Sequence, residues 1–225
     1  MPDFGQRLQL MTLQLVPFIM AIVVHEVAHA FIAKRHGDDT AQRLGRLTLN
    51  PVPHIDPIGT LAFPIFNMLT GMNLLFGWAK PVPINYSKIR PYRRALFLVS
   101  IAGPAANVIC GIIAAGFLVG FSAFISPKFY LYEPLQGMAF AAVSINYALA
   151  VFNMIPLPPL DGSKMVEAFL SYEATKKYES LANYSFFILL ALLWSGALNI
   201  LAIPITAMSN LSISFWALIF EKFVG

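Results

Sequence analysis

The chain has 225 residues, of which 58% are hydrophobic and 12% charged, and its formal net charge is +4. Soluble globular domains carry about 45–50% apolar and about 25% charged residues, so this composition excludes an ordinary soluble enzyme. Cys110 is the only cysteine, which excludes a disulfide scaffold as well. What remains is a multispanning membrane protein, whose positive charges report on topology and not on nucleic acid.

A bilayer core roughly 30 Å thick takes about 20 apolar residues per helix. The first apolar run predicts a helix over 8–35. It is longer than a signal-peptide core and lacks a small-residue cleavage pattern, so it is expected to stay in the mature protein. Next, Arg46–Asn50 alternates like a strand, and Pro81–Asn85 reads as a second short extended piece, within a strand or re-entrant region over 44–86. Further helices are predicted over 93–125 and 135–156. The last run, Leu181–Phe220, would extend about 60 Å as one helix, so it predicts two passes turning near Asn199–Pro204, a C-terminal helical hairpin over 180–222. The expected fold is an all-α polytopic membrane protein, a single domain over 1–225. It has about five to six transmembrane helices and a short membrane-associated β or re-entrant segment.

Thirteen of the fifteen Lys and Arg fall in 34–46, 80–94, 164–177 and at Lys222. The positive-inside rule places these on the cytoplasmic side of the inner or plasma membrane, with the N-terminus outside and the C-terminus inside. Because 34–46 and 80–94 then share a side, Ile58–Trp78 between them cannot cross once. It must re-enter or lie in the surface, in keeping with Gly59, Pro64, Gly71 and Gly77 along it. Gly116 and Gly120, spaced as GxxxG, are read as helix-packing residues.

Near the end of the first helix stands His25-Glu26-Val27-Ala28-His29, an H-E-x-x-H pattern in apolar surroundings. His25 and His29 are one turn apart on one face, so both imidazoles can reach one zinc, while Glu26, about 100° round, can reach water beside it. Chance matches to so short a pattern are common on solvated helices. Inside a spanning helix two histidines and a glutamate are costly, and a functional site is the better reading. Nine residues separate His25 from Lys34, which sets the site up to roughly 13 Å below the interface.

Zinc wants a third protein ligand and an open fourth position. His36, Asp38 and Asp39 lie too far along or beyond the helix, and Ile32 and Arg35 stand where a metzincin extension would need glycine and histidine. Asp161 is the best-placed partner. It follows Pro156, Pro158 and Pro159, which must end the third long helix, and it is the only charged residue between Glu133 and Lys164. A turn aspartate before Gly162 explains the same letters.

Five motifs in order then carry a resemblance: HEVAH, GRLTLNPVPHIDPIGTL at Gly45–Leu61, GWAKPVPIN at Gly77–Asn85, AGPAAN at Ala102–Asn107, and NMIPLPPLDG at Asn153–Gly162. Together they cover most of Val24–Lys164, and the chain resembles the site-2 proteases, the zinc intramembrane metalloproteases of peptidase family M50. The likeness is to the compact prokaryotic type without a PDZ or CBS domain. The resemblance implies one Zn2+ per chain held by His25, His29 and Asp161, with Glu26 as catalytic acid/base and Asn153 helping to hold the substrate carbonyl or oxyanion. It implies single-span membrane proteins as substrates in the lipid bilayer, with no nucleic acid partner. His54 and Asp56 belong to the resembling signature too, but organising a Pro-rich turn suits them better than a second metal. Asn107 is read as bonding across helices. An extended substrate is expected to pair with Leu47–Asn50 or Val82–Asn85. A membrane zinc or ion transporter and a non-catalytic binding protein are the rival functions; the chain shows no internal repeat for the first, and Glu26 has no use in the second.

Overall fold

The computed structural model describes residues 4–70 and 77–224. In chain order its helices are α1 Phe4–Arg35, α2 Thr40–Arg43, α3 Phe63–Thr70, α4 Tyr92–Phe124, α5 Tyr132–Asn153, α6 Asp161–Glu167, α7 Tyr172–Glu179, α8 Ser185–Trp194 and α9 Ala202–Val224. Among the described residues four helices are long and apolar enough to cross a membrane, namely α1, α4, α5 and α9. That is fewer than the five to six expected. The difference lies in the C-terminal apolar run, which breaks at Gly196 (φ 74°), leaving α8 only ten residues long. At 1.5 Å per residue α8 extends about 15 Å, half the hydrocarbon thickness.

α1 ends with Lys34 and Arg35 in its last turn, which suits the negative end of the helix dipole, and Gly37 (φ 105°) turns the chain away. α1 and α5 both run antiparallel to α4. Phe18, Ala21 and Ile22 of α1 pack with Ala141 and Ile145 of α5, while Ala115 and Leu118 of α4 pack with Ala139, Val143 and Tyr147 of α5. Gly111 lets the Tyr147 ring lie against α4. The GxxxG pair seats the last helix: Gly116 faces the ring of Trp216 and Gly120 that of Phe220.

These contacts fix the direction of α9. Trp216 Nε1 donates to Ile112 O at 2.9 Å, and the rings of Phe124 and Phe220 lie 5.7 Å apart. Numbers rise together along both helices, so α9 is parallel to α4. Lys222 therefore ends at the α4 C-terminal end of the bundle, away from the other three basic clusters and against the side expected for it. Packing over two turns outweighs one lysine.

No β-strand occurs among the described residues, which corrects the reading of Arg46–Asn50 and Pro81–Asn85. Along the first, Asn50 N–H donates to Thr48 Oγ1 and Val52 N–H to Asn50 Oδ1, local bonds that compete with a ladder. Along the second, Pro81 and Pro83 have no N–H, Val82 N–H goes to Glu26 Oε2 at 2.7 Å, and Asn85 N–H to Asp38 Oδ2 at 2.6 Å. The two stretches still lie together, joined by Arg46, whose guanidinium donates to Lys80 O at 2.6 Å, and by Leu47 against the Ala30, Ala41 and Val82 cluster. Of Ile58–Trp78, a wide turn at Pro57–Ala62 leads into α3, whose eight residues are too short to span. Residues 71–76, including Gly71, lie outside the described residues.

Candidate metal centre

His25 and His29 face α4 from α1, and Asp161 opens α6 beyond the proline-rich turn. His25 Nε2 lies 3.0 Å from Asp161 Oδ2 and His29 Nε2 3.3 Å from Asp161 Oδ1, while the two Nε2 atoms are 3.0 Å apart. Both imidazoles are buried, and their ligand atoms and that of Asp161 lie within 4.8 Å of one another. Residues 136 and 132 positions apart in sequence are thus brought to one point by packing of α1 and α6 on α4.

The turn that delivers Asp161 is set by local bonds. α5 stops at Asn153, ahead of the prolines; Leu160 N–H donates to Leu157 O, and Ser163 donates to Leu160 O through both its N–H and its hydroxyl. Gly162 has no room for a side chain, since a Cβ there would meet Met154 O at 2.4 Å. Lys164 then ties α6 to α7, donating to Glu167 at 2.8 Å and to Glu179 at 3.0 Å.

The protonation of both histidines follows from their outer partners. Asn107 uses its Nδ2 to donate to Ala21 O at 3.1 Å and to Asn146 Oδ1 at 2.9 Å. Its Oδ1 is therefore an acceptor, and it takes the Nδ1 proton of His25 at 2.6 Å. His29 Nδ1 likewise donates to Val99 O at 2.7 Å. In its neutral form each ring then points an unprotonated Nε2 at the other and at the Asp161 carboxylate. Lone pairs facing lone pairs at 3 Å repel unless a cation sits among them. Two imidazole nitrogens and a carboxylate suit zinc in a site with an open position, and the Nδ1 bonds are the usual support of such ligands.

Gly103, opposite the pair on α4, makes the space: a Cβ there would stand 2.3 Å from His29 Nε2 and 2.7 Å from His25 Nε2. Gly103 and Val99 were not identified in the sequence as part of the site. The signal was available, because 103 and 107 are one turn apart on one face and a metal-ligating histidine calls for a second-shell acceptor.

Glu26, half-buried beside the ligands, accepts Val82 N–H through Oε2 at 2.7 Å. Asn153 closes α5, and its Nδ2 donates to Leu149 O of its own helix at 3.0 Å. It is not among the grouped ligands. His54 and Asp56 stand apart too. His54 is buried with Nε2 donating to Thr48 O at 3.0 Å; burial, together with the charge of Arg46, pushes its pKa down. Asp56 caps the following turn, accepting Ile58 N–H and Gly59 N–H at 3.0 and 2.7 Å. Both therefore organise the Pro-rich turn.

The model for peptidase family M50 matches residues 129–195. A protein of Bacillus subtilis named "Putative zinc metalloprotease YwhC" is 37% identical over 82% of this chain and 81% of its own length. Proteins named "Putative zinc metalloprotease Rip2" from Mycolicibacterium smegmatis and Mycobacterium tuberculosis are 30% and 27% identical over 81% of this chain. The chain spans 66% of the length of each. No solved structure matches significantly.

Proposed function

The chain belongs to peptidase family M50, whose metal is zinc, and from that premise we propose that it is an intramembrane protease hydrolysing peptide bonds in or near transmembrane segments of single-span membrane proteins. The observation that carries this is the convergence of His25, His29 and Asp161, whose ligand atoms lie within 4.8 Å of one another, beside helices long enough to cross a bilayer. His29 is bonded to α4 at Val99, seven residues from the start of that helix. That is about 10 Å along its axis, within lipid but short of the midplane. Twelve basic residues in 34–46, 80–94 and 164–177 flank that end of the bundle, and we assign it to the cytoplasmic face.

Zinc, when bound, supplies Lewis-acid polarisation of the scissile carbonyl and a water acidified toward neutral pH. The rest is done by side chains. Glu26 has one carboxylate oxygen held by Val82 N–H, which leaves the other to take a proton from water and return it to the leaving amine. Asn153 uses one amide hydrogen on Leu149 O, and its second is available to the carbonyl oxygen as charge builds there. Asn107 and Val99 keep both imidazoles in the tautomer that presents Nε2. Val82 and Asn85 N–H are already engaged, which weighs against that stretch as the edge onto which an extended substrate would pair.

Zinc content and cleavage of a panel of single-span proteins, measured on wild type and Glu26→Gln, test the proposal. A protease loses cleavage in Glu26→Gln and keeps its zinc. Metal flux through reconstituted Glu26→Gln with no cleavage by wild type would instead establish a carrier.

A further inference from the structure

We infer that α8 does not cross the membrane but lies immersed as a half-length helix in the leaflet on the metal-bearing face, its partner being the lipid of that leaflet. Composition alone argues otherwise, because Ser185–Trp194 has no charged residue and belongs to a forty-residue apolar run. The helix directions decide it. α4 begins at the metal-bearing end, since His29 meets Val99 and Gly103 close to its start. α9 is parallel to α4, with Trp216 at Ile112 and Gly116, and Phe220 at Gly120 and Phe124. α9 begins at Ala202, ten residues before Ser212, which meets Tyr147, and so it also starts at the metal-bearing end.

The chain reaches α8 from that same end. Asp161 is at the metal centre, Lys164 is tied to Glu179, and Tyr178 OH donates to Pro156 O at 2.6 Å, so α6 and α7 stay beside the proline-rich turn. A segment that leaves one face and returns to it has made no net crossing, and ten residues of helix, about 15 Å, cannot make the double passage. Gly196, in the left-handed conformation, supplies the reversal into α9.

What covers α8 follows from its surface. Phe186 is 70% exposed, Phe187 67% and Trp194 89%, and the helix packs mainly on the turns flanking it. So much exposed aromatic surface on a helix that packs mainly on its flanking turns needs hydrocarbon. Its flank is polar: α7, just before it, carries exposed Lys176 and Lys177. With Glu173 and Glu179 beside them, this charged helix followed by an apolar half-helix suits an interface of polar headgroups over acyl chains. The described ends of the chain, at α1 and α9, then share the opposite face, and four crossings satisfy this parity.

The test uses the full chain in its native membrane with Cys110→Ala and single cysteines at Lys88, Lys176, Lys128 or Lys222, labelled with a membrane-impermeant maleimide from each side. The expected result is that Lys128→Cys and Lys222→Cys label from one side, and Lys88→Cys and Lys176→Cys from the other. Lys222→Cys labelling together with Lys88→Cys would mean that α8 crosses, and would overturn the inference. Immersion is read separately from tryptophan emission in bilayers of brominated lipid. The Trp194→Phe variant should have lost a quenchable component that the wild type shows, and equal fractional quenching of the two would count against lipid contact.

Discussion

The Oδ1 atom of Asn107 lies 2.6 Å from Nδ1 of His25, and because the Asn107 amide hydrogens are spent on Ala21 and Asn146, this one contact sets the tautomer of a ligand on another helix. Asn107→Ala should lower zinc affinity by about 10- to 100-fold, the usual effect of removing an outer-shell partner. Asn107→Asp, which still offers an acceptor, should restore much of it. Competition against a chromophoric chelator measures both, and an unchanged affinity in Asn107→Ala would show that the contact does not orient the ring.

Gly103→Ala tests the space. The added methyl would stand 2.3 Å from His29 Nε2 and 2.6 Å from His25 Cε1, so one imidazole must leave. Purified Gly103→Ala should carry less than a tenth of the wild-type zinc and lose about 1–3 kcal/mol of stability from overpacking. Gly111→Ala is the control. It presses on the Tyr147 ring at 2.8 Å, away from the ligands, and should cost comparable stability with zinc intact. Equal zinc loss in both variants would attribute the effect to general packing.

The legible parts of this chain were those in which a local pattern has one physical outcome. Two histidines at i and i+4 within an apolar run share one helix face, and three prolines after Asn153 must end a helix, so the segments that bring His25, His29 and Asp161 together could be read directly. Val82 shows the opposite case. Its neighbourhood reads as a short extended piece, but its N–H is claimed by Glu26, 56 positions away, and nothing local reports that. Asn85 and Asp38 repeat the lesson. The direction of α9 was equally hidden, because Lys222 argues for one side while Gly116 and Gly120, seating Trp216 and Phe220, settle the other.

Asp38 links the end of α1 to the segment before α4. Burial disfavours its charge, but the Thr40 hydroxyl and the N–H groups of Asn85 and Thr40, helped by Lys88, hold its pKa below the usual carboxylate range. A carboxyl whose folded pKa lies below its unfolded one adds stability that is full above the unfolded value. That stability is lost as pH falls from about 4 through the folded value. Wild type in detergent should therefore lose melting temperature below about pH 4. Asp38→Asn should start about 1–3 kcal/mol lower at neutral pH and show a shallower decline with acid. Parallel pH curves for the two proteins would rule out Asp38 as the titrating support.

Glu26 has a structural duty that can be separated from the chemical one proposed for it. Its Oε2 is the acceptor for Val82 N–H, at the middle of a stretch also held by Arg46 at Lys80 and by Asp38 at Asn85. Glu26→Gln keeps an oxygen that can accept this bond, so its melting temperature should stay close to wild type while cleavage is lost. Glu26→Ala removes the acceptor and leaves a backbone N–H without a partner, at a cost of about 1–3 kcal/mol. It should melt several degrees lower and expose the stretch Val82–Asn85 to limited proteolysis by a protease of broad specificity. If Glu26→Ala and Glu26→Gln melt together and resist protease equally, the Val82 contact does not hold the segment, and Glu26 acts on the reaction alone.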